Sequence, residues 1–93
     1  MIGLSSVCAL RGDVRYRIVQ DQAVVIRQQE GELLVLNELG GKILKLTEGK
    51  QSVRKIVDQL AESYDVERKE LEADVLEFLQ EMLESGVAAE ITP

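Results

Sequence analysis

Apolar and charged residues alternate with period two along Val14-Arg15-Tyr16-Arg17-Ile18-Val19. Successive side chains of an extended chain point to opposite faces, so this stretch predicts a strand with one face buried. Gln20-Asp21-Gln22 then reads as a short turn into a second strand, Ala23-Val24-Val25-Ile26-Arg27-Gln28. Glu30-Gly31 turns the chain again into Glu32-Leu33-Leu34-Val35-Leu36, and the three strands form a meander.

At Asn37 the period changes from two to that of a helix. Asn is a favoured N-cap, and Leu39, Ile43 and Leu46 fall on one face of a first helix that stops near Gly49. Ser52 caps a second helix whose stripe is Val53, Ile56, Val57, Leu60 and Tyr64. Asp65-Val66 interrupts the pattern. A third helix follows from about Arg68 to Ser85, with Leu71, Val75, Phe78, Leu79 and Met82 inward and Gly86 as the residue that ends it. The expected organisation is a flexible N-terminal arm over 1–13, one domain over 14–87 and a tail over 88–93, with room for a short extended segment after Val87. Three strands followed by three helices make an α+β unit with the helices on one face of the sheet.

A chain of 93 residues has room for one modest core and no elaborate cleft. Hydrophobic residues at 45% and charged residues at 30% exclude a disordered or membrane-embedded chain by composition. Aromatics are only 3%, so the core is built from Leu, Val, Ile and Ala. A net charge of -6 repels nucleic acid and anionic lipid, and neither is an expected partner. Cys8 is the only cysteine and histidine is absent, which excludes an internal disulfide and removes the usual zinc ligands. Met1 to Leu10 lacks the basic start of a signal peptide, and no segment is apolar enough to span a bilayer, so the cytoplasm is the expected compartment.

Candidate chemistry is sparse. The chain has no nucleophile beside a base, no phosphate-binding loop and no dinucleotide fingerprint, so no enzyme activity, cofactor or metal is expected. Gly40-Gly41 lacks the strand-loop-Lys context of a phosphate cradle and reads as close packing of the first helical turn. Cys8 reads as an inert thiol, with only Arg11 nearby in sequence to acidify it. Glu70, Glu72, Asp74, Glu77, Glu81 and Glu84 lie mostly opposite the apolar stripe of the third helix and read as a solvated acidic surface.

The informative segment is Glu32 to Leu36. The first strand carries Arg15 and Arg17, which discourage edge pairing, whereas Leu33-Leu34-Val35-Leu36 is apolar on both faces with no Lys, Pro or Gly to blunt it. In a meander this third strand is a sheet edge, and a bare apolar edge invites another strand to pair with it. The alternatives are that Met1 to Leu10, or a second copy in a homodimer, covers it. The apolar arc of the third helix is wider than a core contact needs. One margin, either Leu76 with Leu83 or Leu71 with Phe78, is left to wall a groove beside the edge.

Leu36-Asn37-Glu38, Ile43-Leu44, Gly49, Ile56-Val57, Leu60, Tyr64-Asp65-Val66, the run from Glu72 to Leu79, and Gly86-Val87 together resemble the PqqD family, the pyrroloquinoline quinone synthesis protein D family. The resemblance spans about Val14 to Val87, and departs from the family at Leu39-Gly40-Gly41, where Thr-Ala or Ala-Ala is common. It implies a winged helix-turn-helix-like precursor-peptide recognition element that acts as a peptide chaperone. In such a domain the leader of a ribosomally made peptide adds a strand to the third strand, and the complex is presented to a modifying enzyme, often a radical SAM protein. Carried onto this chain, the docking strand is Glu32, Leu33, Leu34, Val35 and Leu36, and the helix wall includes Asp74, Val75, Phe78 and Leu79. A winged-helix DNA-binding regulator and a permanent non-catalytic enzyme subunit are the rival readings. The first is opposed by the acidic third helix, which would have to enter the groove of DNA.

Overall fold

The computed structural model describes residues 2–91. The chain runs through β1 (Val7–Leu10), β2 (Val14–Val19), β3 (Gln22–Arg27), β4 (Glu32–Leu36), α1 (Glu38–Leu46), β5 (Glu48–Ser52), α2 (Val53–Ala61), α3 (Arg68–Glu84) and β6 (Ala88–Ile91). β2, β3 and β4 form the expected antiparallel meander, in that order, with β4 at one edge. Gln20 and Asp21 both adopt positive φ (49° and 68°). That two-residue turn matches the twist of the strands it joins.

The caps are those the sequence announces. Gly40 N–H donates to Asn37 Oδ1 at 2.8 Å, and Lys55 N–H to Ser52 Oγ at 3.3 Å, each meeting one orphan donor of a first helical turn. α3 ends in a Schellman arrangement: Gly86 N–H donates to the Leu83 carbonyl at 3.2 Å and Val87 N–H to that of Met82 at 2.9 Å. This requires the left-handed backbone of Gly86, φ 79°. The first helix stops earlier than expected, at Leu46, and the buried Thr47 hydroxyl donates back to the Ile43 carbonyl at 2.7 Å. Gly49 instead lies inside β5.

Two apolar clusters hold the elements together. Ile43, Val53, Ile56, Val57, Leu60, Leu71, Val75 and Leu79 pack the three helices against one another. Val14, Val25, Leu44, Met82, Val87 and Ala88 join α1 and α3 to the meander and to β6.

The flexible arm expected over 1–13 is corrected. Val7–Leu10 is the central strand of a second sheet, ordered β5-β1-β6, and the tail expected over 88–93 contributes β6 to it; Thr92 and Pro93 lie outside the described residues. Helix capping supplies part of the reason. The Val53 and Arg54 N–H groups at the start of α2 donate to the carbonyls of Ser6 and Leu4, both at 2.9 Å, so the N-terminal segment supplies acceptors that α2 lacks. Burial supplies the rest: Cys8 is enclosed between the strands it pairs with and the core.

Candidate functional site

Hydrogen-bond alternation fixes which main-chain groups of β4 are free. Val19 and Gln22 flank a two-residue turn and therefore pair through both main-chain bonds, and the Gln28 N–H bonds the Asp13 carbonyl at 3.0 Å in the same phase. In that phase the even-numbered residues of β3 bond β2, so Ala23, Val25 and Arg27 bond their β4 partners Leu36, Leu34 and Glu32. The N–H and C=O groups of Leu33 and Val35 then point out from the free edge.

Side chains follow the same alternation. Leu34 and Leu36 turn inward and pack against the second cluster, while Leu33 and Val35 stand on the outer face, 60% and 59% exposed. Opposite them on β3 are Ile26 and Val24, and beyond those Arg15 and Arg17 of β2. Glu32 is tied down by Arg27, whose Nη1 lies 3.4 Å from Glu32 Oε1. β1 pairs with β5 and β6 and leaves the β4 edge open.

At the end of β4 the chain turns into α1, and α3 lies across a cleft of about 230 Å³. Its lining is Asn37, Leu39, Gly40 and Ile43 from the α1 side, and Asp74, Glu77, Phe78 and Glu81 from α3. Gly40 is where the three elements converge: a Cβ built there would lie 3.0 Å from Phe78 Cε1 and 3.3 Å from Leu36 Cβ. A Cβ on Gly41 would lie 3.2 Å from that of Ala23. The glycine pair is therefore a close-packing device, as its sequence context suggests, and it sets the depth of the cleft.

The structure brings Asp74 and Phe78 to the cleft but not Val75 and Leu79, which is a correction. Both are fully buried, because Leu71, Val75, Leu79 and Met82 form the single stripe that faces the core. Phe78 lies one position around the helix and spans both clusters with its ring edge toward the cleft, so the Phe78 margin is the one left over. Leu76, on the other margin, packs on the helical cluster. Asn37, Leu39, Gly40, Ile43, Glu77 and Glu81 join Asp74 and Phe78 in lining the cleft without having been candidates from the sequence. The helical spacing of Asp74, Glu77 and Glu81 around Phe78 was the available signal for the α3 side; nothing local marks the α1 side.

Cys8, the one thiol, takes no part in this surface. Burial, and secondarily the charge of Glu90, pushes it above its ordinary value, so it stays protonated near neutrality. Among the described residues no acidic or thiol cluster suited to a metal ion occurs, and no helix is long and apolar enough to cross a membrane.

A two-sheet, three-helix module with an open edge strand beside a small cleft defines a winged helix-turn-helix-like α+β domain. The chain belongs to the PqqD family: residues 22–88 match the family described as coenzyme PQQ synthesis protein D (PqqD). It is similar to the PqqA binding protein of Rhodopseudomonas palustris strain BisB5, 36% identical over 58 residues, an overlap covering 62% of this chain and 57% of that protein. The PqqA binding protein of strain TIE-1 is likewise 36% identical over 64 residues, covering 66% of this chain and 63% of the relative. The overlap thus spans less than two thirds of either relative. In fold it is similar to TbiB1 in complex with the TbiA(beta) leader peptide, with a TM-score of 0.82 at 24% identity over 91% of this chain and 99% of that one. A lasso peptide synthetase B1 complexed with the leader peptide gives 0.79 at 23% identity over 88% and 96%.

Proposed function

We propose that this protein captures the leader segment of a ribosomally made precursor peptide as an added strand on β4, and presents it to a modifying enzyme without performing chemistry itself. The observation that carries the reading is the free edge of β4, where Leu33 and Val35 offer unpaired main-chain groups beside a cleft floored by Phe78 and Ile43. The relatives support it: two are PqqA binding proteins by name, and two chains of the same fold were solved with leader peptides.

Main-chain bonds to an added strand supply register and are nearly indifferent to sequence, so selectivity falls to the cleft and to the alternate side chains of the client. The docking residues are Glu32 to Leu36 with Asp74 and Phe78. Ordering a disordered client offsets part of the gain, which places the net affinity near micromolar, about -8 kcal/mol. The enzyme served is of the radical SAM class, as the family resemblance implies, and the encounter takes place in the cytoplasm.

The test is an NMR titration of isotope-labelled protein with a synthetic PqqA peptide, the ligand named for the relatives. Saturable shifts are expected at the amides of Glu32 to Leu36 and in α3 around Phe78. Saturable shifts confined to β2, β5 or β6 would overturn the reading.

A further inference from the structure

We infer that the client of this protein carries a Lys or Arg next to the apolar residue that enters the cleft; the inference rests on the docking reading above and adds the chemical class of the ligand. The cleft is apolar at its floor and anionic at its rim. Leu39, Ile43 and Phe78 supply the floor, and Asp74, Glu77 and Glu81 the rim; the other lining groups, Asn37 and Gly40, are neutral, and among the described residues no cation lines the cleft.

Some exposed carboxylates of this surface are ion-paired among the described residues and others, Asp21, Glu62 and Glu70 among them, are not. Glu30 and Glu32 pair with Arg27, Glu38 with Lys42, and Asp58 and Glu72 with Arg68. Asp74, Glu77 and Glu81 take part in no ion pair among the described residues, although they stand on successive turns of one helix face around Phe78. Like charges at i,i+3 and i,i+4 repel, and α3 carries no basic residue in its last turn to offset the helix dipole. The helix is therefore less stable for having these three groups on one side of the cleft, and a cation from a bound strand relieves that repulsion. Charge complementarity also sets polarity: the anionic rim lies on the cleft side of β4, while Arg15 and Arg17 stand on the outer face of the meander. A peptide with a cation on its cleft-facing row fits this arrangement, and one with an anion there does not.

The probe is a positional-scanning library of synthetic extended peptides, read by binding and by the Leu33 and Val35 amide signals. Lys or Arg is expected to be enriched beside the apolar anchor. Its replacement by Gln is expected to weaken binding about 2- to 10-fold at low salt and less at high salt. A Glu77→Lys/Glu81→Lys protein, checked for helix content by circular dichroism, is expected to prefer Asp or Glu at that position. Should it fail to fold, Glu77→Gln/Glu81→Gln is expected to lose the preference. Peptides that shift the Leu33 and Val35 amides with no charge preference, or with a preference that survives these substitutions, overturn the inference and leave the docking reading standing. A library with no member that shifts those amides removes both.

Discussion

Val35→Pro separates the free edge of β4 from its paired side. The Val35 N–H points away from β3, so proline there removes a donor from the open edge without taking a bond from the β3–β4 ladder. Leu34, one residue earlier, is opposite Val25 in the bonded phase, and proline at that position removes a ladder bond and unseats a side chain packed on the core. Only Leu33 and Val35 offer outward groups within β4, so the substitution removes one of two edge donors. The lost bond accounts for about 0.5–1.5 kcal/mol, and the client carbonyl left without a donor beside the proline ring brings the total to about 1–3 kcal/mol. In affinity that is a weakening of roughly 5- to 150-fold. Calorimetric titration with the leader peptide measures it, with circular dichroism and thermal melting as the check on folding. A folded Val35→Pro protein that binds as tightly as the parent would refute docking on β4. A Val35→Pro protein that unfolds as readily as Leu34→Pro would refute the assignment of its N–H to the free edge.

Two further expectations concern stability. Gly86→Ala forces a Cβ onto a residue at φ 79° and to 2.8 Å from Arg27 Nη2, and is expected to cost about 1–2 kcal/mol, lowering the melting temperature by roughly 5–15 °C; an unchanged melting temperature would contradict the Schellman ending of α3. Burial holds the Cys8 thiol above its ordinary value of 9.0, so the unfolded chain gives up that proton first and stability is expected to fall as the pH rises past about 9. Denaturant midpoints against pH for parent and Cys8→Ala chains measure the difference, and parallel alkaline slopes would show that Cys8 is not its source.

Much of the fold is legible locally. The period-two run from Val14 to Val19 and the turn at Gln20-Asp21 announce β2 and β3 because each signal and the structure it specifies lie within a few residues. Asn37, Ser52 and Gly86 likewise mark helix ends through bonds that reach only three to five residues along the chain. β1 and β5 carry no such mark, and β6 is foreshadowed only by the room for an extended segment after Val87. Glu48 to Ser52 is polar, and it is a strand only because Val7 to Leu10, far away in sequence, pairs with it and in turn with Ala88 to Ile91.

The candidate site divides the same way. The apolar run Leu33 to Leu36, with no Lys, Pro or Gly, marked Glu32 to Leu36 as an edge, since the side-chain pattern of a strand is carried by its own residues. Which side chains of α3 stand beside it was not readable, because an apolar arc wider than one contact leaves the helix rotation open until its neighbours are placed. Packing against α2 directs Val75 and Leu79 into the core and leaves Phe78 at the cleft. The sequence by itself determined the periods, the caps and the apolar run Leu33 to Leu36, all of them consequences of short-range geometry. The tertiary structure alone decided the second sheet, which takes β1 away from the β4 edge, and the anionic rim of the cleft, because each depends on which distant segments come to lie side by side.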